Sequence, residues 1–346
     1  MRIVSTLLAV LCATSAFAQY DATITVSRVL VDVRVTKYDG TPVTDLTPDD
    51  FTIEIDGEPA RTASVTWNGA RDGETPGETT TERATGASAV APATIPSAAE
   101  PRTIVLFIQT DFQRANVRMS GQMKFRRYAE ELVQSFAPED RIAVFSFDSH
   151  LKFRSDLTVD RDATIAAIRE SILIDHPPPP VAVPEPSLAT QIERSSLTRA
   201  ANSEEGLTVV ANALAALPGA KTVLLVGWGL GERMRGAINM KYEWTEARRA
   251  LDAARATMIA IDFTQADGHD LAAGMAAGAV QTGGFYIATN VVPQIAVNRV
   301  RNTLRGHYEL ELVPAKPLPP GTFRLQVRVK RKSAIVLAPS SVTIAN

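Results

Sequence analysis

Five consecutive large apolar residues, Ile104 to Ile108, stand between Thr103 and the polar stretch Gln109-Thr110-Asp111-Phe112-Gln113. A run without alternation predicts a strand covered on both faces, as in a parallel sheet lying between helices. Met123, Tyr128, Leu132 and Phe136 recur at helical spacing, which predicts a helix over 119–136 ended by Pro138. The alternation continues downstream. Strands are expected at 141–147, 221–226, 257–263 and 285–288, with a short antiparallel edge at 151–154. Helices are expected from a cap at Thr158 or Asp160 to Glu170, and at 205–217, 242–256, 269–281 and 293–304. Strands alternating with helices imply an α/β fold with a doubly wound, mostly parallel, Rossmann-like sheet.

The two ends of the chain follow a different period. Thr23 to Val26 and Val29 to Val35 alternate apolar with polar, as half-buried strands do. A turn at Tyr38-Asp39-Gly40-Thr41-Pro42, a strand at 49–55 and a hairpin signal at Asp56-Gly57 complete a β-module over 19–67. Strands return at 308–313, 323–330 and 334–344. Each group has too few strands to be stable alone. The expectation is therefore one small all-β, sandwich-like module, its N-terminal strands pairing with those of 307–346 and an α/β domain at 101–306 inserted between them. Residues 68–100 are rich in Gly, Thr, Ala, Pro and Glu and are expected to be a flexible linker. Residues 176–204 are expected to be a Pro-rich insertion, extended from Pro177 to Pro186.

Composition narrows the setting. Arg2, the apolar run Ile3 to Leu11 and Ala16-Phe17-Ala18 form a three-part export signal over 1–18, cut before Gln19. The single cysteine, Cys12, falls inside it, which leaves no disulfide, thiolate metal site or cysteine nucleophile in the mature chain. A periplasmic or secreted protein is expected. The formal net charge of −2 provides no electrostatic footprint for nucleic acid. No stretch beyond the signal is long and apolar enough for a transmembrane helix.

The order of these pieces resembles the bacterial von Willebrand factor type A (VWFA)-related proteins. The resemblance is carried by Val31-Asp32-Val33-Arg34-Val35 through Gly40 to Leu46, then Asp49-Asp50-Phe51 and Asp56-Gly57. Asp140 to Val144, Asp156-Leu157-Thr158, Thr282-Gly283-Gly284 and Tyr308-Glu309-Leu310 continue it. It implies a binding domain with a cation site: an Asp-x-Ser-x-Ser loop after the first strand, a distant Thr and a distant Asp. Oxygen ligands of that kind suit Mg²⁺ or Mn²⁺. Here the loop positions hold Gln109, Asp111 and Gln113, the Thr position falls at Thr208 and the late Asp position at Trp228. Asp111 and Thr208 are the vestigial metal candidates. Two amides and an indole in place of oxygen ligands imply a degenerate site with no cofactor.

Other signals carry less. Gly227-Trp228-Gly229-Leu230-Gly231 follows a strand but lacks the third glycine of a dinucleotide fingerprint. Trp228 is either a contact residue at the mouth of the sheet or a packed one. The four histidines have no metal-ligand spacing, and Ser146, Asp148, Ser149 and His150 are neighbours along one turn, not a triad. The sequence shows no catalytic constellation. The expected function is a non-enzymatic binding module for a protein or other macromolecule in the cell envelope or outside it, contacted through Gln109, Asp111, Gln113, Thr208 and Trp228. The alternatives are a structural scaffold that presents its β-module for envelope assembly and, behind it, a Mg²⁺- or Mn²⁺-dependent adhesion domain or an unrecognised hydrolase.

Overall fold

The computed structural model describes residues 28–69, 101–110, 126–173, 184, 186–234, 237–264, 271–289 and 293–344. The expected signal at 1–18, the strand at 23–26, most of the linker and the prolines 177–180 lie outside those residues. In chain order the strands are β1 (Val29–Thr36), β2 (Phe51–Ile55), β3 (Glu58–Gly69), β4 (Thr103–Gln109), β5 (Arg141–Phe147), β6 (Leu151–Thr158) and β7 (Lys221–Gly227). There follow β8 (Glu232–Met234), β9 (Ala237–Asn239), β10 (Ala256–Asp262), β11 (Tyr286–Ala288), β12 (Gly306–Val313), β13 (Gly321–Val329), β14 (Ile335–Leu337) and β15 (Ser341–Ile344). The helices are α1 (described over 126–134), α2 (Arg161–Leu173), α3 (Arg194–Arg199), α4 (Ser203–Ala215), α5 (Tyr242–Ala253), α6 (Ala272–Gln281) and α7 (Pro293–Thr303).

Six strands form a mostly parallel sheet in the order β11-β10-β7-β4-β5-β6, with β6 antiparallel at one edge. β4 is central because both its faces are apolar. Val105 and Phe107 enter one core, with Leu207, Val210 and Leu251 of α4 and α5. Ile104, Leu106 and Ile108 enter the other, with Leu132, Ile168 and Val300 of α1, α2 and α7. An unbroken apolar run is what a strand feeding two cores requires.

The remaining long strands form one antiparallel sheet, β14-β1-β12-β3-β2-β13-β15, so the N- and C-terminal segments interleave. β1 pairs with β12 over 29–33 and with β14 over 34–36. Alternate residues of β12, Tyr308, Leu310 and Leu312, are buried against Val31, Val33, Phe51 and Ile53. Tyr308 keeps its hydroxyl satisfied there: it accepts from the Leu46 amide (3.0 Å) and donates to the Val43 carbonyl (2.8 Å).

A polar seam joins the two sheets. Arg34 of β1 is buried and donates to Thr257 Oγ1 (2.9 Å) and Thr222 Oγ1 (3.1 Å), near the starts of β10 and β7. Arg255 forms a bidentate pair with Asp32 (2.6 and 2.8 Å) and also reaches Glu309 (2.5 Å). Arg102 pairs with Asp140 and donates to the Leu304 carbonyl. The antiparallel sheet is thus held against the N-terminal ends of the parallel strands.

Three details differ from expectation. β3 runs to Gly69, so Asn68 and Gly69 belong to the sheet and not to a linker starting at 68. The single strand expected over 334–344 is two, because Ala338-Pro339-Ser340 interrupts it and proline has no N–H for a ladder. The pieces lie at opposite ends of the sheet. The second half of the Pro-rich insertion is also built in: it contains α3 and the start of α4, and Leu188 is fully buried. The anchor is Asp156 on the edge strand β6, 3% exposed, which accepts from Ser187 Oγ (2.5 Å) and from the amides of Leu157 (2.8 Å), Leu188 (2.8 Å) and Ala189 (3.3 Å). Asp156→Ala removes that acceptor from four donors. It is expected to cost about 2–4 kcal/mol, read as a lower urea midpoint at unchanged m-value.

Candidate functional site

In an open α/β sheet the ligand crevice lies at the carboxyl ends of the strands, where the winding reverses. Here that point lies between β4 and β7, because the chain passes from β4 to β5 on one side and later adds β7 on the other. Gln109 closes β4 at this point and is 3% exposed.

Its amide is bonded on every side. Gln109 Nε2 donates to Ser203 Oγ (2.8 Å) and to the Gly229 carbonyl (2.7 Å). Gln109 Oε1 accepts from the amides of Trp228 (2.7 Å) and Gly229 (3.2 Å). Two backbone N–H groups can face only an oxygen, so the network fixes which end of the amide is which. Both amide hydrogens and both lone pairs are used. One neutral side chain therefore ties β4 to the β7 loop and to the start of α4. Gly227 makes the approach possible, since a Cβ there would overlap Gln109 Oε1.

The start of α4 is set by local chemistry. Asn202 caps it, its side chain accepting from the Glu205 amide (2.8 Å). Ser203 then faces Gln109, and Glu204 accepts from the Gly231 amide through Oε1 (2.7 Å). The loop after β7 is thus held at both ends, before it enters the hairpin β8–β9.

The sequence-picked residues are only partly brought together. Gln109 and the backbone of Trp228 meet directly. The Trp228 ring is half-buried against the core that contains Val226, Ile261 and Phe263, between the two roles open to it from sequence. Thr208 does not reach Gln109: its hydroxyl donates to the Glu204 carbonyl of its own helix (3.1 Å). The residue that does reach Gln109 is Ser203, one helical turn and more earlier. Sequence reasoning began this helix at Glu205 and so left Ser203 in the loop, although Asn202 followed three residues later by Glu205 is a start signal. Asp111 and Gln113 lie outside the described residues.

Charge near this end of the sheet is paired off. Asp148, in the turn after β5, binds Lys152, a buried lysine. Burial opposes its ionisation, but the Lys152 ammonium and the Ser149 amide outweigh that and bring Asp148 down to about 2. Asp262 closes β10 and accepts from Thr264 N and Oγ1 (both 2.8 Å) and from the Tyr286 hydroxyl (2.7 Å). Burial and that carboxylate push the Tyr286 phenol up. His150 meets Ser149 Oγ (3.1 Å) and lies 4.0 Å from Asp148, both through Nδ1. A relay needs the two ring nitrogens to face different partners, so this turn is not one.

The described residues do not fit a hard divalent cation. The one oxygen of Gln109 is occupied by two N–H groups, and Nε2 directs its hydrogens at Ser203 Oγ and the Gly229 carbonyl. Among the described residues no three His, Cys, Asp or Glu side chains cluster to hold a metal.

No protein-family model matches the chain, and neither does any curated protein sequence. Among solved structures the chain is similar to a von Willebrand factor type A protein from Catenulispora acidiphila, at 9% identity and a TM-score of 0.41, over 94% of this chain and 75% of that one. It is similar to BatB from Bacteroides thetaiotaomicron at 11% identity and a TM-score of 0.40, over 59% of this chain and 97% of that one. It is also similar to the PilB minor pilin from Streptococcus sanguinis at 11% identity and a TM-score of 0.38, over 61% of this chain and 63% of that one. In strand order and connection, the parallel sheet is the doubly wound arrangement that the resemblance in sequence implies.

Proposed function

We propose that this chain is a non-enzymatic binding module that meets a protein or other macromolecule through the C-terminal face of its parallel sheet, without a divalent cation. The observation that supports metal independence is the saturated amide of Gln109. A bridging cation would link the first strand, the following helix and the later loop; the glutamine makes that link with hydrogen bonds and no charge. Such a face offers a partner the half-buried ring of Trp228, whose backbone the Gln109 network holds. Residues 1–18 support export, to the periplasm or beyond, and the near-neutral charge supports a partner other than nucleic acid.

A second reading is favoured by the short end strands of the antiparallel sheet. β14 and β15 have three and four residues, and as end strands they leave backbone groups open. In that reading the N- and C-terminal strands act as a sandwich-like module that accepts a partner's strand.

Isothermal titration with Mg²⁺ and with Mn²⁺ is expected to give no sub-millimolar binding; such binding, abolished by Asp111→Ala, overturns metal independence. Gln109→Ala breaks four hydrogen bonds and opens a polar void. It is expected to lower stability by about 2–4 kcal/mol by urea unfolding, with no rescue by either cation. Capture of a partner from cell-envelope extract is expected to fail when Trp228→Ala and Asp111→Ala are combined. Capture that survives assigns binding to the antiparallel sheet instead.

A further inference from the structure

The seam between the two sheets is not filled along its whole length. At the end of the parallel sheet opposite Gln109, beside Thr103 at the start of β4, it opens into a cavity of about 480 Å³. That volume lies in the range of small-molecule sites, about 300–1,000 Å³. The wall draws on both sheets and their helices: Trp67 from the end of β3, Phe136 after α1, Glu139 before β5 and Arg301 from the last turn of α7.

One side of the cavity is built around the tryptophan. The Trp67 ring packs on Tyr308, with ring centroids 4.9 Å apart. Gly306 leaves room for it, since a Cβ there would stand 2.5 Å from Trp67 Cζ2. The indole keeps an unused donor: Trp67 Nε1 is buried and finds no acceptor among the described residues. A buried donor left unmet is costly, and its presence in a cavity wall calls for an acceptor inside.

The charges around the cavity sort into used and unused. Arg102 is committed to Asp140 and the Leu304 carbonyl, and Glu309 to Arg255. Arg305 is engaged as well. Burial, and then the Arg34 charge, lower His307 to about 4, so near neutral pH it adds no charge. Arg301 and Glu139 are left. Neither forms an ion pair or hydrogen bond with a described residue, and they do not pair with each other. A ligand of either net charge would leave one of the two unmatched, whereas a zwitterion matches both. We propose that this cavity binds a small zwitterion with an apolar body, of the amino-acid class. Its carboxylate accepts from Arg301 and Trp67 Nε1, its ammonium group donates to Glu139, and its body lies against Trp67 and Phe136. The site is separate from the C-terminal face of the parallel sheet, so it stands whether or not that face binds a partner.

NMR titration of the isotopically labelled full chain with L-phenylalanine and with L-leucine tests the assignment. The reporter is the Trp67 indole N–H resonance, identified by its loss in Trp67→Phe. It is expected to shift saturably with both amino acids. Phenethylamine lacks the carboxylate and hydrocinnamate lacks the amine. Each is expected to bind about tenfold or more weakly than L-phenylalanine, because each gives up a charge-assisted hydrogen bond. Arg301→Gln is expected to weaken L-phenylalanine by a similar factor and to leave phenethylamine unchanged. Glu139→Gln is expected to weaken L-phenylalanine likewise and to leave hydrocinnamate unchanged. Both side chains are exposed, so the rest of the spectrum is expected to stay as in the wild type. A Trp67 resonance that responds to neither amino acid means a cavity holding water alone, and overturns the proposal. Equal affinity for L-phenylalanine and its two charge-deleted relatives, or undiminished binding in Arg301→Gln, overturns it too.

Discussion

The pairing of β1 with β12 fixes the plan of the molecule. Residues 29–33 lie beside 308–312 and β3 lies on the other side of β12, so the chain between β3 and β12 must leave the antiparallel sheet and return to it. Charge compensation then sets how the inserted parallel sheet sits. Arg34 is taken out of water by the strand that carries it, and it finds hydroxyl acceptors at the starts of β7 and β10. A buried guanidinium without partners costs far more than a polar seam with well-made ones. Asp32, Arg255 and Glu309 extend the same solution outward. The two sheets are therefore joined at the N-terminal ends of the parallel strands.

At the C-terminal ends of those strands a neutral side chain makes the cross-link between strand, loop and helix. Gln109 reaches the β7 loop and α4 from the end of β4, the position from which a metal loop would act. The amide has two donors and two acceptors, all satisfied, so it needs no counter-charge and contributes no free ligand. Gly227 is the complementary concession, leaving room where a side chain would collide. The cross-link itself is neutral.

Regular elements were legible wherever one face, or both, had to be dry. The run Ile104–Ile108 and the alternation in β12 read directly as a two-sided and a one-sided strand, whereas β1, which alternates too, is buried on both faces because Asp32 and Arg34 meet the parallel sheet. The hairpin β8–β9 and the helix α3 were not legible. They are short, largely exposed, and carry little periodic signal. The break at Pro339 was present in the sequence and passed over, because apolar residues on both sides suggested continuity. Asp156 gave no sign of its role: a carboxylate beside a strand looks solvated until a distant segment places three donors around it.

The sequence by itself determined that an α/β sheet is inserted between β strands, and that the end of β4 carries amides where a cation loop would carry carboxylate and hydroxyls. The first follows from periodicity, which acts locally, and the second from the residues at those positions set beside what the resemblance to type A domains implies. Tertiary structure alone decided that Ser203, and not Thr208, meets Gln109. Their separation of five residues is more than one helical turn, so only the docking of α4 selects which hydroxyl faces β4. It also decided that Asp252 is buried against Ser341, a partner 89 residues away that no local pattern could name.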